Sequence, residues 1–401
     1  MRPRAGLLAG VTVLSVGTVL SVGQVHAAGR PPSSDQAPQP TVRIAQKLTV
    51  SQQGARAALV ARLQGHRFDW DLIRDPKNAP LFLDLAASNQ PARVVVAALH
   101  AVGEAFAPEP VPHDRVPVTA DLRKVVFARL DAPDRGVQAE AFAALNPLLS
   151  GRTPDDATLV KLTAILRKSR DAAVRYEAVQ ALGRVGLQGV RDAAGLPEPV
   201  LLACADVEPA VRVTALNLLI TLATSSGFVQ HAGSERLQKV VHDALRKPDV
   251  ATRATATSAL GQAAFLLPAA KAQAVLAELV ALLGDPEAPV RAAAALALAR
   301  HPDRAAWQPL AALLEDQGET LVRVQGPVGL DGQRIDFPVT ALREDPRVVA
   351  HAAVQALMLQ AMADAHGFVC EPPKPPQLEA DLKACVDKAK AWLDQQAPPK
   401  P

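Results

Sequence analysis

The sequence predicts an all-α solenoid: about seven stacked helical hairpins, with one small β-hairpin inserted. Three observations carry that prediction. The first is a helical stripe that returns seven times, pinned on Ala98, Ala141, Ala178, Ala215, Ala256, Ala294 and Ala353. Four residues before each alanine stands Val94, Val137, Val174, Val211, Thr252, Val290 or Val349. Three and four residues after it stand further apolar residues, from Ala101 and Val102 in the first copy to Ala356 and Leu357 in the last. The second is an acid four residues ahead of an arginine, at Asp171–Arg175, Glu208–Arg212, Asp249–Arg253 and Glu287–Arg291. The third is the spacing of the alanines, 43, 37, 37, 41, 38 and then 59 residues. A period near 40 marks helical-repeat arrays, because one hairpin cannot bury its own apolar stripe and must stack on its neighbours.

The chain begins with a segment expected to lie outside this fold. Arg2 and Arg4 form a basic start, Ala5 to Val25 is uncharged and mostly apolar, and Val25-His26-Ala27 sets small residues at a cleavage site. Positions 1–27 therefore read as a secretory signal peptide. The competing reading is an uncleaved anchor, since the 21 uncharged residues are just enough to span a bilayer. Cleavage gives a periplasmic or extracellular protein with no membrane span; an uncleaved segment would leave it membrane-anchored. Positions 28–54 are rich in Pro, Ser and Gln and too poor in apolar residues to order themselves, so they read as a disordered tether. The solenoid itself is expected over 55–366.

One repeat shows the pattern most clearly. Leu159, Leu162, Ile165 and Leu166 fall on one helical face, Ser169-Arg170-Asp171 breaks the chain, and Val174, Ala178, Ala181, Leu182 and Val185 mark a second helix. The acid lies at the start of that second helix, where it meets free amides and the positive end of the dipole. The arginine one turn later is placed to pair with that acid or with the next repeat. Both are read as structural rather than as an anion-binding row. Val95, Gln138 and Ala350 occupy the arginine slot in the outer copies, which are expected to be held mostly by apolar packing.

The run Asp171-Ala172-Ala173-Val174-Arg175-Tyr176-Glu177-Ala178-Val179-Gln180-Ala181-Leu182-Gly183 resembles the consensus of HEAT repeats, in particular the short HEAT-like type of phycobilisome lyases. The resemblance covers roughly residues 79–366. It implies a right-handed α-solenoid, arginines that join successive repeats, and second helices that line the concave side. On that side the slot two residues after each alanine reads His100, Ala143, Gln180, Asn217, Ser258, Leu296 and Gln355. Beside it run Glu140, Tyr176, Glu177 and Arg184. These residues form a candidate partner-binding face, with an ordinary solvated surface as the plain alternative. An elongated polar line suits a protein segment better than a small molecule, which prefers a closed apolar pocket.

The long final spacing has its excess in residues 315–344. Thr320 to Gln325 alternates, Gly326-Pro327 and Asp331-Gly332 supply turn chemistry, and Gln333 to Val339 alternates again, which reads as a β-hairpin. Residues 367–396 are expected to form a capping helix, amphipathic from Leu378 to Leu393, ahead of a loose tail at 397–401. Cys370 and Cys385 are a disulfide candidate in an exported chain. Cys204, within an apolar run, reads as a buried inert thiol.

Composition narrows the function classes. There are 43 basic and 40 acidic residues, or 41 against 40 without Arg2 and Arg4, so no net basic footprint points to nucleic acid. Aromatics are 3% of the chain, too few for rows of stacking platforms. No His-Glu dipeptide, His-Glu-x-x-His, Cys-x-x-Cys, Gly-x-Ser-x-Gly or phosphate-cradling glycine loop occurs, so no catalytic residue, metal site or cofactor is assigned. The expected function is a non-catalytic exported scaffold that binds a protein partner. The alternatives are a lyase or other enzyme built on such repeats, and a structural spacer of the cell envelope.

Overall fold

A computed structural model describes residues 39, 41–45, 47–64, 75, 78–105, 119–145, 156–187, 197–223, 234–264, 267, 269–301, 304–327, 340–361, 368–370 and 378–396. The signal segment, most of the tether's first half and the C-terminal tail lie outside them. The described residues fall into two compact units, one within Val22–Ala244 and the other within Leu245–Pro401.

The first unit opens with α1 (Val50–Gln64) and continues as four hairpins: α2 (Ala79–Ala87) with α3 (Ala92–Ala105), α4 (Ala120–Leu130) with α5 (Arg135–Ala143), α6 (Asp156–Lys168) with α7 (Ala172–Leu187), and α8 (Pro197–Cys204) with α9 (Pro209–Leu222). It ends in α10 (Ser234–Leu245), whose last residue meets the boundary. The second helices α3, α5, α7 and α9 pack on one another in that order. The second unit holds α11 (Val250–Ala264), α12 (Ala269–Leu282), α13 (Ala288–Leu298), the short α14 (Trp307–Ala312), α15 (Val349–Ala361) and α16 (Leu378–Gln396). Here α11, α13 and α15 stack in the same way.

The alanine register explains that stacking. All seven pinned alanines have zero exposure, and the residues four before and three and four after each are buried too. A methyl group at the crossing lets two second helices approach closely, which the larger apolar residues on either side then seal. At Gly261 the approach is closer still: a Cβ there would lie 2.5 Å from Cβ of Ala297 and 3.2 Å from its Cα. Only glycine fits at that crossing without a shift.

The turns between helices are built on a common plan. Arg175 donates through Nη1 to Ser169 O (3.1 Å), Arg212 to Asp206 O and Val207 O (both 2.8 Å), Arg253 to Lys247 O and Pro248 O (3.3 and 2.9 Å), and Arg291 to Asp285 O and Pro286 O (2.8 and 2.9 Å). Each guanidinium thus reaches the carbonyl six residues behind it, and three of the four also take the one five behind. In Arg175, Arg253 and Arg291 the guanidinium also reaches the next repeat. Arg175 binds both oxygens of Asp206 (2.6 and 2.8 Å), Arg291 binds both of Asp316 (2.7 and 3.1 Å), and Arg253 lies 3.8 Å from Asp285.

The acids divide their work by length. Asp134 and Asp249 cap the helix behind them, accepting from Val137 N (3.0 Å) and Thr252 N (2.8 Å). Glu208 and Glu287 stand at the same position but make no side-chain cap, being one methylene too long for the geometry. Their backbone N–H groups instead donate to Asp206 and Asp285, two residues upstream, which also receive the previous repeat's arginine.

Three expectations change. The tether was drawn to residue 54, yet α1 starts at Val50. Thr49 and Gln52 form a reciprocal capping box there, Gln52 N to Thr49 Oγ1 at 3.3 Å and Thr49 N to Gln52 Oε1 at 2.9 Å. Gln39, Val42 and Ala45 are also docked, because their main-chain N–H groups find acceptors that an apolar-burial argument does not count. The outer repeats add polar contacts to their apolar packing. Gln138 closes its turn onto Leu130 O (2.6 Å), and the buried Arg129 donates to Ala86 O (2.8 Å) and Ser88 O (3.2 Å) of the preceding repeat. The insertion is an antiparallel pair of β1 (Glu319–Pro327) and β2 (Thr340–Val348), with Glu319 opposite Val348 and Pro327 opposite Thr340. The second strand therefore follows the alternating run 333–339, which lies outside the described residues, and the insertion extends to Val348 rather than 344. Pro346 is tolerated because a two-stranded ribbon has only edge strands.

Candidate functional site

The polar side chains described on the candidate face are half-buried, neither lost in the core nor fully free, and Ala143 in the same slot is exposed. In the first unit, His100 on α3 and Glu140 on α5 meet across two repeats, Nδ1 to Oε1 at 3.0 Å. On α7, Gln180 donates through Nε2 to the Tyr176 hydroxyl at 2.9 Å, one turn back. Glu177 sits between them in sequence, and Asn217 occupies the same slot one repeat further on. Neighbouring second helices pack about 8–10 Å apart, so Gln180 and Asn217 mark successive rungs of one row, while Ala143 interrupts its polar character between His100 and Gln180. The side chain of Arg184 lies outside the described set.

The second unit carries Ser258 on α11 and Gln355 on α15, with Leu296 in the same slot on α13. Ser258 Oγ bonds back to Ala254 O at 3.3 Å, as Thr255 does to Ala251 O at 2.8 Å, so these hydroxyls are partly engaged by their own helix. What the slot argument missed in this unit lies at the helix ends. His301 Nε2 lies 2.9 Å from Gly261 O, Arg300 donates to Gln262 Oε1 at 2.8 Å, and Gln360 Nε2 donates to Leu298 O at 3.0 Å. His301 and Gln360 both stand seven residues after their pinned alanine, a slot that is apolar in the other five copies. The signal was thus present in the register. Burial pulls the His301 pKa below its ordinary value, and Arg300 likewise.

Cys370 and Cys385 are joined, with their Cα atoms 5.8 Å apart. The bond ties the segment after α15 to α16. Trp392 of α16 packs on Trp307 (ring centroids 4.7 Å apart) and on Phe368 (5.8 Å), Arg304 lies 5.3 Å over the Trp307 ring, and Lys390 pairs with Glu315. Cys204 is fully buried, and burial pushes its thiol well above the ordinary range, which makes it unreactive. Among the described residues no three His, Cys, Asp or Glu side chains are grouped to hold a metal ion, and no helix is long and apolar enough to cross a membrane.

No protein-family model matches the chain, and no curated protein matches it. Solved structures do. The chain is similar to one from a complex of Kap95p with RanGDP, at 13% identity over 83% of this chain and 45% of that one, with a TM-score of 0.56. It is similar to one from a Kap95:Nup1 complex, at 13% identity over 84% of this chain and 45% of that one, with a TM-score of 0.55. The chain spans under half the length of those proteins. At such identity the likeness shows the fold, a HEAT-like repeat array.

Proposed function

We propose that this HEAT-like chain is a non-catalytic scaffold that captures a protein partner along the polar row of its second helices, outside the cytoplasm. One observation carries the reading: five of the seven residues in one register slot carry hydrogen-bonding side chains that are half open, and two of them are braced, His100 by Glu140 and Gln180 by Tyr176. Bracing lowers the entropy lost when a partner binds. Two further facts support it. The similar solved chains are described in complexes with other proteins, RanGDP and Nup1. A disulfide is at home in an oxidising compartment, in keeping with the basic start, apolar run and small-residue site of positions 1–27.

The test combines Gln180→Ala and Asn217→Ala, both in the first unit, in one variant. Partners are captured from a cell-envelope extract and quantified by mass spectrometry beside the unaltered chain. The expected result is loss of a specific partner at unchanged Tm. Equal capture by both chains would remove the row from consideration and leave the envelope spacer as the better reading.

A further inference from the structure

In the inner repeats the ladder arginine donates to the carbonyl five residues behind it: Val207 O, Pro248 O and Pro286 O. In the first repeat that slot is Val95, which has no donor to offer, and the carbonyl five residues behind it is Gln90 O. That carbonyl is nevertheless filled. The backbone N–H of Gln39 donates to it at 2.9 Å, Val42 N donates to Ala87 O at 2.6 Å, and Ala45 N donates to both oxygens of Asp121 on α4, at 3.0 and 2.9 Å. A piece of chain some fifty residues upstream thus does what a guanidinium does elsewhere.

The three donors are spaced by three residues. An extended polyproline-type strand turns once in three residues and makes no internal hydrogen bonds, so every third N–H faces one side. Pro38 and Pro40 flank the first donor in the sequence. Gln39 is only 2% exposed, and its Oε1 has no hydrogen-bond partner. The adjoining carbonyls of the same turn, Ala86 O and Ser88 O, are taken by Arg129, also 2% exposed, so they do not compete for the segment's N–H groups.

We propose that the turn between α2 and α3, together with Asp121, is a binding site for an extended polypeptide segment that presents main-chain N–H groups at every third residue. Residues 39–45 are its resident ligand in cis. The buried, unpartnered amide oxygen of Gln39 makes the native segment an imperfect occupant, so the site selects for an apolar side chain at that position. It lies on a turn rather than on the second-helix row and stands or falls independently of it.

The experiment uses the full-length chain carrying Gln39→Pro and Val42→Pro, which deletes two of the donors while keeping the extended conformation. A fluorescent peptide with the native sequence of residues 36–47 is titrated and followed by anisotropy. Saturable one-to-one binding to the double-proline chain is expected, with binding to the unaltered chain about ten-fold weaker or less because the tethered segment competes at high effective concentration. A peptide carrying the same two prolines should not bind, and a peptide with Gln39→Leu should bind about ten-fold more tightly. Equal binding of native and proline peptides overturns the site, and a weaker leucine peptide overturns the apolar preference. Amide exchange on the unaltered chain is the second measurement: Val42 and Ala45 should exchange at least about 100-fold more slowly than Arg43. Exchange of Val42 at the unstructured rate overturns the proposal whatever the variant does.

Discussion

The turn before α7 and the turn before α3 solve one problem with different chemistry. Each leaves main-chain carbonyls at the edge of a stacked hairpin. Before α7 the repeat closes its own turn, and Arg175 then spends its second edge on Asp206 of the next repeat, a pair only 8% exposed on either side. The hydrogen bonds to Asp206 hold the Arg175 pKa above its ordinary value, so the cation is well compensated. Before α3 there is no ladder arginine. Arg129 arrives from the following helix and donates to the carbonyls of Ala86 and Ser88, and burial pulls its pKa down to about 10. The difference teaches that closing the turn and linking the repeats are separable tasks, performed by one residue inside the array and by two elements at its end.

The comparison can be broken most forcefully at Arg175. Replacing it with Met strands the Asp206 carboxylate in a dry site and is expected to cost about 3–5 kcal/mol, read by urea or thermal unfolding. A cycle with Asp206→Asn should show strong coupling; additive single effects would mean the pair does not link the repeats. Arg129→Met should cost less, about 2–3 kcal/mol, since it leaves carbonyls rather than a carboxylate without a donor. A loss as large as that at Arg175 would erase the distinction drawn between the two turns. The smallest step is Gln138→Ala, which removes one neutral hydrogen bond to Leu130 O and should cost about 1 kcal/mol. A larger loss there would place Gln138 among the linking residues, where no partner in the next repeat has been assigned to it.

These turns also show where the sequence could be read and where it could not. The seven alanines predict burial because helix stacking acts on a local period, and period is a property of sequence. The structural role of the arginines follows from the same register. Their acceptors do not. Asp206 rather than Glu208 receives Arg175 because of a one-methylene difference and a contact 31 residues away, both set by stacking geometry. Arg129 was invisible because a single cation among Val125, Val126 and Leu130 looks like a solvated residue until its carbonyls are found. The docking of 39–45 rests on backbone groups, which every sequence carries alike. The start of α1 was legible in Thr49 and Gln52, whose spacing is that of a capping box. Of the candidate row, its line of residues came from the register, while the bracing of His100 by Glu140 needed two repeats side by side.

The crosslink at the end of the chain has a mechanical meaning. Cys370 and Cys385 are 15 residues apart, and fully stretched chain extends by about 3.4 Å per residue, so the bond locks away roughly 50 Å of contour. A tensile load applied at the two termini cannot draw out that length while the bond is oxidised. The main-chain hydrogen bonds of Gln39, Val42 and Ala45 are a different kind of restraint, one that yields and re-forms without a redox step. The thiol state of one residue pair therefore sets how far the segment from 370 to 385 can extend.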